Sequence, residues 1–193
     1  MKRQVILIKT VFLLITLGVS SAFAQPETKQ PAETSFEVFL QIVVAAKDGR
    51  TEVPSNLSNA VKKLKSTFDP LDFRLRATYI ERTSNAVEYK GPQSPGAPGE
   101  RWMSFFEWGI RNIRRSGEGS TSVTIDGFRA GYRVPLGSPS DKPGSDRSAL
   151  YEWYGVNSSR FRLPEAEPTL VASIAGENAG EMIFLFLTVK GVD

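Results

Sequence analysis

The stretch SFEVFLQIVVAAKDG, at residues 35–49, has the alternating pattern of a β-strand. Every second residue along one face is apolar: Phe36, Val38, Leu40, Ile42 and Val44. Phe39 and Val43 make the opposite face partly apolar, and Asp48-Gly49 ends the stretch with a turn signal. Because a strand with two apolar faces is covered on both, this pattern predicts a strand in the interior of a sheet.

A second stretch of this kind lies near the C-terminus, GEMIFLFLTVKGVD at residues 180–193. Its apolar residues fall on both faces: Ile183, Leu185, Leu187 and Val189 on one, Phe184 and Phe186 on the other. The same argument predicts a second central strand here.

Residues 54–70, PSNLSNAVKKLKSTFDP, contain the clearest helical pattern of the chain. Apolar residues recur at helical spacing along one stripe: Leu57, Ala60, Val61, Leu64 and Phe68. Asp69-Pro70 ends the pattern, because a residue that precedes proline avoids the helical conformation. The spacing predicts one principal helix at about residues 55–68.

The strands after this helix follow from strict alternation. LDFRLRATYIERT, at residues 71–83, predicts a half-buried strand, and AVEYK, at residues 86–90, predicts a partner joined to it by a hairpin. If the strands on either side of the helix share a sheet through it, they are parallel and the crossover is right-handed.

Three further strand-forming segments are predicted in the middle of the chain. They cover residues 102–115, 121–136 and 149–156. The second segment is a pair of strand pieces with Asp126-Gly127 between them, which marks either a tight turn or a bulge. Loops rich in proline, glycine and serine lie at residues 91–100 and 137–148, and the length of the first favours a surface loop over a domain linker. The elements together predict an α+β fold that is β-rich, with antiparallel or mixed sheets and one principal helix.

The first 24 residues have the features of a cleaved signal peptide. Lys2 and Arg3 form a positive start, an apolar run follows, and Ala22-Phe23-Ala24 places small residues where a signal peptidase cuts. The charge-free part of the run, residues 10–19, is about half of the roughly 20 residues that span a membrane, which favours cleavage over a retained anchor. We therefore expect a signal peptide at 1–24, a flexible leader at 25–34 and a single domain at 35–193. The expected location is periplasmic or secreted, with no transmembrane span after cleavage.

The charge balance gives no reason to expect a nucleic-acid partner. The full chain has 24 Lys and Arg residues and 21 Asp and Glu residues. Without Lys2, Arg3 and Lys9, which lie in the signal peptide, 21 basic residues face 21 acidic ones. The basic isoelectric point of the whole chain thus belongs to the signal peptide, and we predict no binding of nucleic acid.

The chain contains no histidine and no cysteine. Their absence excludes Ser-His-Asp triads, Cys-His pairs and the common zinc sites. Paired carboxylates, a Ser-Lys dyad or an all-oxygen metal site are what remain. The composition favours a protein that is not an enzyme, and no cofactor is predicted. Five carboxylates in the middle strands are the candidates for glycosidase-like chemistry: Glu81, Glu88, Glu100, Glu107 and Asp126.

The stretch WMSFFEWGIRNIRR, at residues 102–115, supplies the candidate binding residues. They are Trp102, Phe106, Trp108, Arg111, Arg114 and Arg115. Exposed tryptophan beside arginine suits a protein partner or a glycan. The alternative is that the aromatic residues belong to the core and the arginines to a solvated strand end.

The order of elements also resembles a known family. The segments SFEVFL (35–40), PSNLSNAVKKLKSTF (54–68) and LDFRLRATYIER (71–82) look like the periplasmic ring-building modules of secretin-type export machines. The segment GENAGEMIFLFLTVKGV (176–192) is similar to the final strand region of secretins, but it lacks that family's proline, and the chain is too short for a membrane-embedded secretin core. The whole chain is also similar to exported bacterial proteins.

Export, composition and this resemblance predict a non-enzymatic envelope protein. It would bind or assemble with other envelope proteins or with copies of itself. The alternative function is binding or carboxylate-based cleavage of a glycan such as peptidoglycan, through the strand at residues 102–115.

Overall fold

Nine strands and one short helix make up the part of the chain that the computed structural model describes. The described residues are 34–47, 51–69, 71–92, 104–117, 119–136, 150–176 and 180–192. The strands are β1 (Ser35–Ala46), β2 (Asp72–Thr83), β3 (Val87–Pro92), β4 (Phe105–Arg115), β5 (Ser122–Pro135), β6 (Tyr151–Ser158), β7 (Phe161–Pro164), β8 (Thr169–Ala175) and β9 (Met182–Val192). A 3₁₀ turn, Ser55–Leu57, leads into the helix α1, Ser58–Lys65. The signal peptide, the leader before Thr34 and most of both predicted loops lie outside the described residues.

The strands form two antiparallel sheets. The first sheet has the order β2-β1-β9-β8, and the second has the order β3-β4-β5-β6, with β7 also paired to β5. β1 and β9 are therefore the central strands of the first sheet, as their two apolar faces predict. The prediction of a β-rich fold with antiparallel sheets is confirmed.

The two sheets face each other across one hydrophobic core. Alternate residues of β1 and β9, such as Leu40 and Leu185, are fully buried against residues of the second sheet, such as Trp108 and Ile125. The opposite face of the first sheet is covered in part by α1, whose Val61 packs with Phe73, Phe184 and Phe186. This second layer explains why β1 and β9 are apolar on both sides.

The helix is shorter than the predicted span of residues 55–68. It ends at Lys65, where the Ser66 hydroxyl donates a hydrogen bond to the Lys63 carbonyl at 2.7 Å. Such back-bonding by serine competes with continued helix. Phe68 nevertheless packs where the apolar stripe requires, with its ring centroid 5.2 Å from that of Phe184. None of the helices in the described ranges is long and apolar enough to cross a membrane.

Two predicted connections are wrong. β1 and β2 are antiparallel, not parallel, because Ala46 lies opposite Asp72 and the helical segment is an insertion between two paired strand ends. β2 and β3 do not form a hairpin, because they belong to different sheets. They face each other across the sandwich, where the rings of Tyr79 and Tyr89 lie 4.6 Å apart.

Candidate functional site

The aromatic residues of the predicted site that the structure describes lie in the core. Phe106 and Trp108 are 2% and 0% exposed, and both rings contact Tyr79 from the facing sheet. Neither ring reaches the surface of the described chain. The two residues therefore fit the alternative in which the aromatic residues of this stretch belong to the core. Trp102 lies outside the described residues.

Two of the three predicted arginines are held in ion pairs. Arg114 binds both carboxylate oxygens of Asp126, at 2.5 and 3.1 Å, and Arg160 donates to the same carboxylate at 2.7 Å. Arg115 binds Glu165, at 3.2 Å in its shorter contact, and Glu165 also accepts a 2.8 Å hydrogen bond from the amide of Gly191. These two arginines connect strands of the fold.

Arg111 differs from its neighbours because it makes no ion pair with any described residue. Its side chain is exposed and lies over Gly127 of the neighbouring strand. The Arg111 Nε is 3.4 Å from the position that a Gly127 Cβ would occupy. Arg111 is thus a charged donor group that the described fold leaves unused.

Partway along both β4 and β5, the side of the strand that is buried in the core changes. In β4 this change lies between Arg111 and the two arginines that follow it. In β4 the buried core residues Trp108 and Ile110 are two positions apart, but the next one, Ile113, follows three positions later. Asn112, directly before Ile113, has a φ of 53°. In β5 the buried core positions change from Ile125 to Phe128, across the Asp126-Gly127 pair. Both alternatives for Asp126-Gly127 are wrong. The two residues lie within one strand, so they form no tight turn, and the pairing of that strand with β4 keeps its register, so they form no bulge.

The outer face of the second sheet, on the side away from the first sheet, has a floor of glycines. Gly131 pairs directly with Gly155, and the Trp153 ring lies over the pair. Its Cζ2 atom is 2.9 Å from the Cβ position of Gly131 and 2.7 Å from that of Gly155. Glycine inside a strand often marks such a close approach, and an aromatic ring that covers it shields the backbone. Trp153 is therefore held in a fixed position on this face.

Ion pairs surround this floor. Glu107 is only 4% exposed and accepts hydrogen bonds from Arg133 at 2.9 Å, with Lys90 Nζ at 3.1 Å. Burial alone raises the pKa of Glu107, but the hydrogen bonds from Arg133 and Lys90 outweigh it and hold the pKa below its usual range. Arg129 pairs with Glu88 across β4 at 2.6 Å.

A cleft of about 440 Å³ opens on the outer face of the second sheet, next to the point where the buried side of β4 and β5 changes. We call it the arginine cleft. The residues that define it are Glu88, Gly109, Arg111, Gly127, Arg129 and Asn157. The absence of side chains at Gly109 and Gly127 leaves space between the two arginines, so the cleft can admit a small polar group.

The carboxylates of this sheet are poorly suited to glycosidase chemistry. Such chemistry needs a general acid with a raised pKa beside a second carboxylate. The pKa values of Glu107 and Asp126 are lowered by their arginine partners, and Glu88 is paired with Arg129. Glu81 lies on β2 in the other sheet, and Glu100 is outside the described residues. Within the described ranges, no group of three or more acidic side chains could hold a metal ion.

Acid should weaken the Asp126 ion pairs. Hydrogen bonds from Arg114 and then Arg160 hold the pKa of Asp126 at about 2, below the ordinary 3.8. Because the pKa of Asp126 is lower in the folded state than in the unfolded state, its ionised form stabilises the fold at any pH above the unfolded-state pKa. This stabilisation is lost as the pH falls toward 2. We expect Asp126→Asn to lower the Tm most at pH 5 and above and to have little effect near pH 2. Thermal unfolding followed by circular dichroism tests this, and a Tm difference that stays constant over that range would contradict it.

Sequence reasoning missed several exposed and half-buried residues of this face. Phe105, Arg129, Arg133 and Trp153 were not predicted as site residues. The alternation of β4 contained part of the signal, because burial of Phe106 and Trp108 places Phe105 and Arg111 on the opposite side. What the pattern lacked was any indication of which side faces the other sheet.

Comparisons with known proteins give a structural likeness but no family. No protein-family model matches the chain, and the comparison with curated proteins gives no match. The fold is similar to the secretin InvG of the Salmonella SPI-1 type III secretion injectisome, with a TM-score of 0.37 and 12% identity. The similarity covers 96% of this chain and 66% of that chain, so this chain spans just under two thirds of that structure. A likeness with this TM-score and identity assigns neither a family nor a function to this chain.

Proposed function

We propose that this protein is exported to the cell envelope and binds another envelope protein without catalysing a reaction. The outer face of the second sheet is the binding surface. The observation that carries the proposal is Arg111, which lines a 440 Å³ cleft on this face and has no ion-pair partner among the described residues. The signal-peptide pattern at residues 1–24 supports the location.

The composition of the face supports a protein partner. Aromatic residues and arginine are enriched where protein interfaces bind most strongly. Phe105 contacts Tyr151 with ring centroids 5.8 Å apart, and the Lys90 ammonium lies 5.2 Å from the Phe105 ring. Together with Trp153, these half-buried rings provide apolar contact area beside the charged cleft. The surface thus combines aromatic and charged groups.

Glycan binding is not proposed. That alternative depended on exposed tryptophan in the stretch 102–115, and Trp108 is fully buried. The ion-paired Glu88, Glu107 and Asp126 also give no support to glycan cleavage.

Site-specific photo-cross-linking tests the proposed face. A benzophenone amino acid replaces exposed Asn157 on the outer face of the second sheet, or Ile80, which is 62% exposed on the first sheet. We expect light-dependent cross-links to a discrete envelope protein from position 157 and none from position 80. Cross-links from position 80 alone, or from neither position, would overturn the proposal.

A further inference from the structure

We infer that the arginine cleft binds a carboxylate from an acidic segment of the partner protein. Arg111 is the main ligand in this arrangement and Arg129 the second. This inference rests on the proposed function and adds to it the chemical class of the group that is recognised.

The first argument is the contrast among the arginines of β4. Arg114 and Arg115 are engaged with Asp126 and Glu165, while Arg111 makes no ion pair within the described ranges. An arginine guanidinium presents its N–H donors as a planar fork that matches a carboxylate in two parallel hydrogen bonds. Arg111 is exposed on the outer face of the second sheet, so this fork is accessible to a ligand.

The second argument is space. A Cβ at Gly127 would lie 3.4 Å from Arg111 Nε, and a Cβ at Gly109 would lie 3.6 Å from Arg129 Nε. The Nε atoms of both arginines therefore lie close to glycine backbone, with no side chain of these two residues beneath them.

The third argument is charge. Arg111 and Arg129 contribute two positive charges to the cleft and Glu88 contributes one negative charge, which leaves a net charge of +1. A single carboxylate neutralises this charge, whereas a phosphate dianion exceeds it. Glu88 already shows that the cleft accepts a carboxylate, because it binds Arg129 at 2.6 Å with a side chain that is 78% exposed.

Fluorescence anisotropy with labelled peptides tests the inference on the purified protein. One probe is hexaglutamate with an amidated C-terminus, and the other is a glycine-serine hexapeptide with a free C-terminal carboxylate. We expect saturable binding of at least one probe, and the preferred one identifies a side-chain or a C-terminal carboxylate. Arg111→Gln should weaken it by about tenfold or more, since hydrogen bonds between charged groups are among the strongest. Arg111→Lys should restore part of the loss, because the charge remains without the fork.

Arg82→Gln is the matched control. Arg82 is an exposed arginine on β2 of the first sheet, so its removal changes the net charge equally and should leave binding unchanged. An equal loss in both variants, failure of both probes to bind, or displacement of the probe by inorganic phosphate at lower concentration than by acetate would overturn the inference. If Arg111→Gln also leaves cross-linking from position 157 intact, the inference fails while the proposed function stands.

Discussion

Trp108→Ala should cost about 3–5 kcal/mol of the free energy of unfolding, the range for large aromatic residues removed from a core. Trp108 is 0% exposed and lies between the two sheets, in contact with the Tyr79 ring at 6.3 Å between centroids. The cavity would border residues of both sheets, which can collapse around it only in part. Urea denaturation followed by circular dichroism measures the loss.

Two further variants keep this prediction testable if Trp108→Ala does not fold. Trp108→Phe should cost only about 1 kcal/mol, because it also removes a buried indole N–H that has no hydrogen-bond partner among the described residues. Ile80→Thr, at a position 62% exposed, keeps a β-branched residue and should change the stability by less than about 0.5 kcal/mol. If Trp108→Ala proved as mild as Ile80→Thr, the placement of Trp108 in the core would be wrong.

Gly131→Ala should destabilise the second sheet by about 2–3 kcal/mol, toward the upper end of the usual cost of overpacking. A Cβ at this position would lie 2.4 Å from the Tyr154 carbonyl oxygen and 2.5 Å from the Gly155 Cα. Both are backbone atoms, so β5 and β6 would have to separate to admit the methyl group. Thermal unfolding and urea denaturation report this cost.

Gly127→Ala is the matched control on the same strand. Its nearest neighbour would be the Arg111 Nε at 3.4 Å, which is the end of a flexible side chain. We expect a change in stability within about 0.5 kcal/mol. Similar losses at both positions would show that the effect comes from glycine replacement in general and not from the contact between β5 and β6.

The two central strands were predictable because their pattern reports burial directly. β1 and β9 are apolar on both faces, and a strand needs apolar residues on both faces only when both are covered. The pattern did not reveal what covers each face. The helix lies on one side and the second sheet on the other, and both depend on contacts between residues distant in sequence.

The candidate site was predictable only as a stretch of chain. The motif of arginines from Arg111 to Arg115 is visible in the sequence, but their roles differ because of distant partners. Asp126 lies 12 residues from Arg114, and Glu165 lies 50 residues from Arg115. The side of β4 that is buried changes at Asn112, which separates Arg111 from the two arginines that follow it. The sequence marks this change only on the neighbouring strand, through Asp126-Gly127.

The position of β9 has a consequence for the timing of folding. β1, the first described strand, pairs with β9, the last, so the central pair of the first sheet joins segments about 150 residues apart. Contacts at such separation form late and slow the folding of a chain. The first sheet therefore gains its central strand pair only after β9 has been synthesised. A chain whose central strand pair has not yet formed can still be threaded through a narrow translocation channel, so the late pairing of β1 with β9 would suit the export that we propose.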